Sequence, residues 1–232
     1  MKQSERQYFW LQFCLLGMAS FSVIVLGLQW GKVTLKYEGR YAAEEGRDST
    51  YWIALTIATG SLRDWDEAWY AQISKEMVRS KNYWFLRYQD ERWFDKPPLS
   101  FWMTAFFYQC FGIHEGSARL FSALCGVGSI LICALIGIYF YGNRHGWMAG
   151  WILLTCGHFL QYARRGQTDI PVTFFITLCL YFFLLGLHRS LFFWFAGCAL
   201  GCALMTKGSI ALFTGLIALP FLVSGLWAFF TP

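Results

Sequence analysis

Long apolar runs decide what this chain can fold into. Residues 8–30, 118–141, 147–162, 170–187, 191–206 and 209–230 carry few or no charges. About 20 helical residues cross the hydrocarbon of a bilayer, so most of these runs are near or at spanning length. A backbone in lipid must satisfy its own hydrogen bonds, and runs of this length do so as helices. Only 14% of the 232 residues are charged and 56% are apolar, too little charge for a water-soluble domain of this size. The fold class expected is all-α integral membrane, with about six transmembrane helices. The first run follows Lys2 and Arg6 and is longer than a signal-peptide core, with no small-x-small cleavage pattern after it, so it reads as a retained membrane helix.

Two further runs are apolar but short. Residues 51–62 are too short to cross a bilayer, and 99–112 fit a second interfacial helix; the alternative, in which 99–112 span with help from flanking residues, would invert the topology downstream. One domain is expected over 1–232: a first membrane helix at 8–30, a polar and aromatic loop at 31–117 with interfacial helices, and a five-helix membrane portion at 118–230. Six spans place both termini in the cytoplasm and the long loop outside. Lys2, Arg6, Arg144 and Arg189 then lie inside, as the positive-inside tendency favours, whereas Arg164 and Arg165 lie outside against it.

The acids are not spread evenly. Of fourteen, twelve fall between Glu38 and Glu115, leaving only Glu5 and Asp169 elsewhere. The stretch from Asp64 to Pro98 mixes these acids with cations and with Trp65, Trp69, Tyr70, Tyr83, Trp84, Phe85, Tyr88, Trp93 and Phe94. Tyr and Trp gather at membrane–water interfaces because one end of each ring system is apolar and the other polar. The stretch is therefore expected on the bilayer surface.

Asp66 and Glu67 open an expected helix from Asp66 to Ser80. First-turn carboxylates suit the exposed N–H groups there, so capping alone would account for them. In Phe94-Asp95-Lys96-Pro97-Pro98 the two prolines fix φ and hold Asp95 and Lys96 on a stiff extended corner. Asp169 is the only acid after Glu115, and Lys207 the only lysine after Lys96. Ionisable groups at membrane depth are costly and mark function, although Asp169 can pair with Arg164 or Arg165, and Lys207 can snorkel to the interface. The six-span order puts the Asp64–Pro98 loop, the Arg164–Asp169 turn and Lys207 on one membrane face.

Carboxylates and cations gathered this way suit transfer of a group from a lipid-borne phosphate to a polar acceptor. A carboxylate takes the proton of an attacking hydroxyl, and Lys and Arg hold the leaving phosphate. The net charge of +5 fits anionic lipid or lipid phosphate and has no nucleic-acid character. The eight cysteines lie mostly in apolar runs without a CxxC pair, as small apolar filler would.

The motifs also carry a resemblance. Asp66-Glu67-x-x-Tyr70-Ala71-x-Ile73-Ser74-x-Glu76-Met77, Phe94-Asp95-Lys96-Pro97-Pro98, Ala163-Arg164-Arg165-x-x-x-Asp169 and Thr206-Lys207-Gly208 occur in that order. Over roughly Asp64 to Leu219 the chain resembles the polyprenyl-phosphate-dependent GT-C glycosyltransferases, which include the aminoarabinose transferases acting on lipid A and the protein O-mannosyltransferase relatives.

The resemblance implies an inverting membrane glycosyltransferase. It would take a polyprenyl-phosphate-linked sugar and an extracytoplasmic lipid, protein or glycan acceptor, at the bacterial inner membrane. It implies Asp66 as base or orienting acid with Glu67 beside it, and Asp169 holding the sugar or organising cations. Lys96, Arg164 or Arg165, Lys207 and Tyr70 would form the phosphate and donor site. Asp95, where aminoarabinose transferases have Glu, would help hold a divalent cation or orient Lys96; no organic cofactor is implied.

The chain departs from that pattern in places. Trp69 stands where aminoarabinose transferases have Arg, Lys81-Asn82-Tyr83 replaces the usual Gly-Asp-Trp, and residues 31–62 look inserted. Relatives are more than twice as long, which raises a protein partner supplying the missing half. A homologue that only binds carrier lipid as a scaffold is the competing reading. A small transporter fits less well, since the ionisable groups gather at one face and no inverted repeat is visible.

Overall fold

The computed structural model describes residues 3–24, 62, 66–89 and 91–230. Helices dominate: α1 (Gln3–Ile24), α2 (Asp66–Ser80), α3 (Leu99–Phe111), α4 (Glu115–Tyr141), α5 (Asn143–Thr155), α6 (Gly157–Ala163), α7 (Asp169–Gly186) and α8 (Leu191–Phe230). Between α2 and α3 lies a small antiparallel hairpin, β1 (Arg87–Tyr88) and β2 (Glu91–Arg92), with Arg87 opposite Arg92. The all-α membrane class expected from the sequence is borne out. Among the described residues, four segments are long and apolar enough to cross a membrane: Arg6–Ile24, Glu115–Tyr141, Asp169–Gly186 and Leu191–Gly208. The expected segments at 25–50 and 51–61 lie outside the described residues.

Local chemistry sets the helix ends. The Pro97-Pro98 corner precedes α3, and Gly112 closes that helix at φ 90. His114 then caps α4 reciprocally: its Nδ1 accepts from the Ser117 N–H at 3.2 Å, and its own N–H donates to Ser117 Oγ at 3.3 Å. This is a capping box built with an imidazole. At the far end, Gly142 at φ 80 turns the chain directly into α5.

One span differs from expectation. Residues 147–162 are not one helix but the end of α5 and the start of α6, broken at Cys156 (φ −72, ψ 101). Gly157, a poor helix former, follows the break, and the Thr155 hydroxyl turns back to the Ile152 carbonyl at 2.8 Å. The runs at 191–206 and 209–230 are divided as expected: within α8 the backbone leaves helical geometry at Lys207 (φ −149, ψ 49) and Gly208 (φ 28, ψ −105), so two helical segments meet at a bend there.

The main core packs α1, α4, α5, α6 and α7 around Leu16, Ile24, Leu120, Ile130, Trp147 and Ile170. Helices α4 and α5 approach backbone to backbone. A Cβ at Gly146 would overlap the Ile138 backbone nitrogen and come within 2.7 Å of the Ala134 carbonyl oxygen. A second core, formed by Tyr70, Ile73, Met77, Leu86, Phe101 and Ala105, seats α2 against α3 and the hairpin. That second core carries the candidate site.

Candidate active site

Helical geometry separates the two acids that open α2, because successive residues point about 100° apart at 3.6 residues per turn. Asp66 is exposed, while Glu67 is 1% exposed and faces the protein. Tyr70, one turn further on, shares the Asp66 side. Its ring is wedged edge-on against Phe101 (5.4 Å between centroids) and Trp93 (6.3 Å), which themselves meet at 5.3 Å. This aromatic cluster fixes the phenol, whose hydroxyl is pushed above the ordinary tyrosine range. Burial is the main cause, and the negative charges of Asp66, Asp95 and Asp169 add to it. The charges at positions 66, 95 and 169 are therefore all felt at one hydroxyl.

Two cations complete the constellation. Lys96 pairs with Asp95 at 3.0 Å, and Lys207 pairs with Asp169 across α8 and α7. The bend in α8 brings that lysine in: a side-chain carbon at Gly208 would lie 3.9 Å from the Pro97 ring. The Phe94–Pro98 corner, the start of α7 and the α8 bend thus meet, as the sequence order on one membrane face led us to expect. Asp169 pairs with Lys207 and not, among the described residues, with Arg164 or Arg165.

The two arginines behave differently from each other. Arg164 donates through Nη2 to the Val23 carbonyl in the last turn of α1, and Arg165 lies over the Tyr162 ring at 4.6 Å. The Nε of each is buried without a partner among the described residues. Beneath Tyr70 is a small recess lined by Ser100, Thr104, Ser122 and Thr168. The hydroxyls of Ser100 and Ser122 are also buried there without a partner among the described residues.

Glu67 is the sequence candidate that the structure moves. Its Oε1 accepts from Arg119 Nε at 2.7 Å and from the Gly166 backbone N–H at 2.9 Å, and its Oε2 accepts from Arg119 Nη2 at 3.3 Å. A carboxylate so enclosed is held inside the protein, whereas Asp66 is exposed. Arg119 went unnoticed in the sequence: it is a lone cation early in a long apolar run, 52 residues from its partner. The only available signal was a charge at membrane depth, one turn after Glu115. As for a metal, no group of three His, Cys, Asp or Glu side chains converges among the described residues. Asp95 offers a single, largely exposed carboxylate. These residues alone do not make a metal centre.

A family model described as dolichyl-phosphate-mannose-protein mannosyltransferase matches residues 95–230, more than half of the chain. The chain belongs to this family. Other members and relatives agree with the GT-C resemblance read from the motifs. An uncharacterized protein of Aquifex aeolicus is 32% identical over 146 residues, 62% of this chain and 29% of that protein. An undecaprenyl phosphate-alpha-4-amino-4-deoxy-L-arabinose arabinosyl transferase of Pseudomonas fluorescens is 32% identical over 181 residues, 74% of this chain and 33% of its own length. Among solved structures, ArnT from Cupriavidus metallidurans in the apo state superposes with a TM-score of 0.66 at 28% identity, covering 77% of this chain and 38% of ArnT. The same enzyme bound to undecaprenyl phosphate gives 0.64 at 27% identity, covering 78% and 38%. The archaeal oligosaccharyltransferase AglB from Archaeoglobus fulgidus shares the fold at 16% identity, with a TM-score of 0.70 over 95% of this chain and 26% of AglB. This mannosyltransferase-family chain therefore spans roughly a third of the length of the relatives it matches.

Proposed function

We propose that this chain carries the carrier-lipid and acid–base half of a membrane glycosyltransferase that moves a sugar from a polyprenyl phosphate to an extracytoplasmic acceptor. The observation that supports the reading is that the Phe94–Pro98 corner, the start of α7 and the α8 bend meet, with Lys96 paired to Asp95 and Lys207 to Asp169. The P. fluorescens arabinosyl transferase and the undecaprenyl phosphate-bound ArnT support the choice of donor class.

In the proposed step the acceptor oxygen attacks the anomeric carbon, and the bond from that carbon to the carrier phosphate oxygen breaks. The acceptor proton passes to the Asp66 carboxylate, the exposed acid of the pair. The carrier phosphate leaves with the bonding electrons and is held by Lys207 and Lys96, which exchange their carboxylate partners for it. Fixed cations in a dry site stabilise growing charge strongly. Arg164 and Arg165 each have a buried Nε–H to offer, and burial lowers the Arg164 guanidinium from its ordinary value, so an anion placed there is favoured. Inversion at the anomeric carbon follows from the single displacement. Asp95 would contribute one ligand to a divalent cation whose other ligands come from outside the described residues.

The active face is extracytoplasmic and the protein multi-pass, with a partner or further chain supplying the rest of the donor cavity. The test is donor consumption by purified protein given labelled polyprenyl-phosphate sugars and membrane acceptors. Asp66→Asn should abolish transfer and leave carrier binding nearly intact. Lys96→Ala and Lys207→Ala should each weaken carrier binding. Carrier binding without turnover on any donor would favour the lipid-binding scaffold instead.

A further inference from the structure

We propose that Glu67 and Arg119 form a positioning clamp that sets the separation between Asp66 and Asp169, and that Glu67 is not itself a reacting carboxylate. The inference rests on the transferase reading for its catalytic consequence, but the clamp stands on geometry alone. One carboxylate ties three elements. Glu67 belongs to the first turn of α2, Arg119 to the second turn of α4, and Gly166 to the turn that leads into α7. The anchored residues are one position from Asp66 and three from Asp169. Gly166 also has to be glycine-sized: a Cβ there would sit 3.1 Å from the Ala118 carbonyl oxygen and 3.7 Å from Glu67 Cγ. The turn is thus seated on α4 beside Arg119.

Packing alone would leave this placement loose. The contacts of Ile73 and Met77 hold α2 against α3, but apolar contact is non-directional and permits sliding along the helix axis. A forked guanidinium–carboxylate bond fixes both distance and orientation. The Glu67 side chain is fully buried and that of Arg119 is 12% exposed, and such pairs rarely repay their desolvation in stability. A geometric role explains why the pair is there. Burial also argues against Glu67 as the base, since a base must reach the acceptor hydroxyl.

The full chain in detergent, with Glu67→Gln, Arg119→Gln, their combination and Arg119→Lys, tests this in two ways. Hydrogen exchange over residues 164–169 should accelerate by about tenfold in Glu67→Gln and Arg119→Gln, because the Gly166 N–H then bonds an acceptor that is uncharged in one variant and no longer anchored to α4 in the other. Transfer should lose about 100-fold in kcat in both, the cost of roughly ångström misplacement, with donor KM within about threefold of wild type. The double variant should be no worse than the poorer single one. Arg119→Lys keeps the charge but loses the fork and should fall in between. If Glu67→Gln abolishes turnover while Arg119→Gln stays near wild type, Glu67 is a reacting carboxylate and the proposal is wrong. Unchanged exchange at 164–169 in both variants would equally overturn it. A wild-type chain with no turnover would count against the transferase reading, and the exchange measurement would still decide the clamp.

Discussion

Removing Arg119 alone should cost far more stability than removing the whole ion pair. Consider Arg119→Met. The substitution preserves most of the buried volume but deletes two charge-assisted hydrogen bonds, leaving Glu67, with a fully buried side chain, bonded to Gly166 N–H without its cation. Breaking a buried pair from one side costs about 3–5 kcal/mol, because a charge remains in a medium that solvates it poorly. For a domain of this size each kcal/mol moves the midpoint by about 2–4 °C, so thermal unfolding in detergent should fall by about 6–20 °C. Adding Glu67→Gln removes the stranded charge while keeping an oxygen for Gly166 N–H, and should recover at least half of that loss. Acidifying the Arg119→Met protein should recover part of it too, since protonating the stranded carboxylate removes the buried charge. Tryptophan fluorescence is a suitable reporter, with Trp93 and Trp102 packed beside α2. A single variant that melts within about 2 °C of wild type, against the 6–20 °C expected, would refute the reasoning. So would a double variant as unstable as the single.

Two further outcomes follow from the same structure. Gly146→Ala should force α4 and α5 apart, because the new carbon meets backbone atoms of Ile138 and Ala134 that cannot rotate away. A loss of about 1–3 kcal/mol in thermal unfolding is expected, and an unchanged midpoint would show that the two helices do not pack this closely. Stability should also fall with alkali. The folded state holds the Tyr70 proton above the usual tyrosine value of about 10, whereas the unfolded chain releases it there, so stability is fully present below about pH 10 and declines above it. Tyr108, raised chiefly by burial, adds to the same slope. Tyr70→Phe should flatten the decline without abolishing it, and an identical slope in a pH series of unfolding curves would remove Tyr70 from the account.

The sequence alone determined the class of fold and singled out the two lysines and two acids that the structure pairs, Lys96 with Asp95 and Lys207 with Asp169. Apolar runs of spanning length leave little choice but helices in a membrane. First-turn acids placed α2 at Asp66–Ser80, and the Pro97-Pro98 corner and Gly112 placed α3 close to Leu99–Phe111, because those signals are local. The paired acids and lysines stood out for a related reason: a charge is conspicuous where nearly everything else is apolar. Tertiary structure decided which charge answers which. Asp66 and Glu67 are neighbours in sequence, yet the turn of one helix leaves the first exposed and sends the second into the core. The Glu67 partners, Arg119 and Gly166, are 52 and 99 positions away, and no local pattern encodes a pairing over such distances. Asp169 likewise sits a few residues from two arginines but pairs with Lys207, because the bend at Lys207–Gly208 carries that lysine across to α7. Composition shows that charges in a membrane protein must be compensated, but the packing angle between helices determines by what.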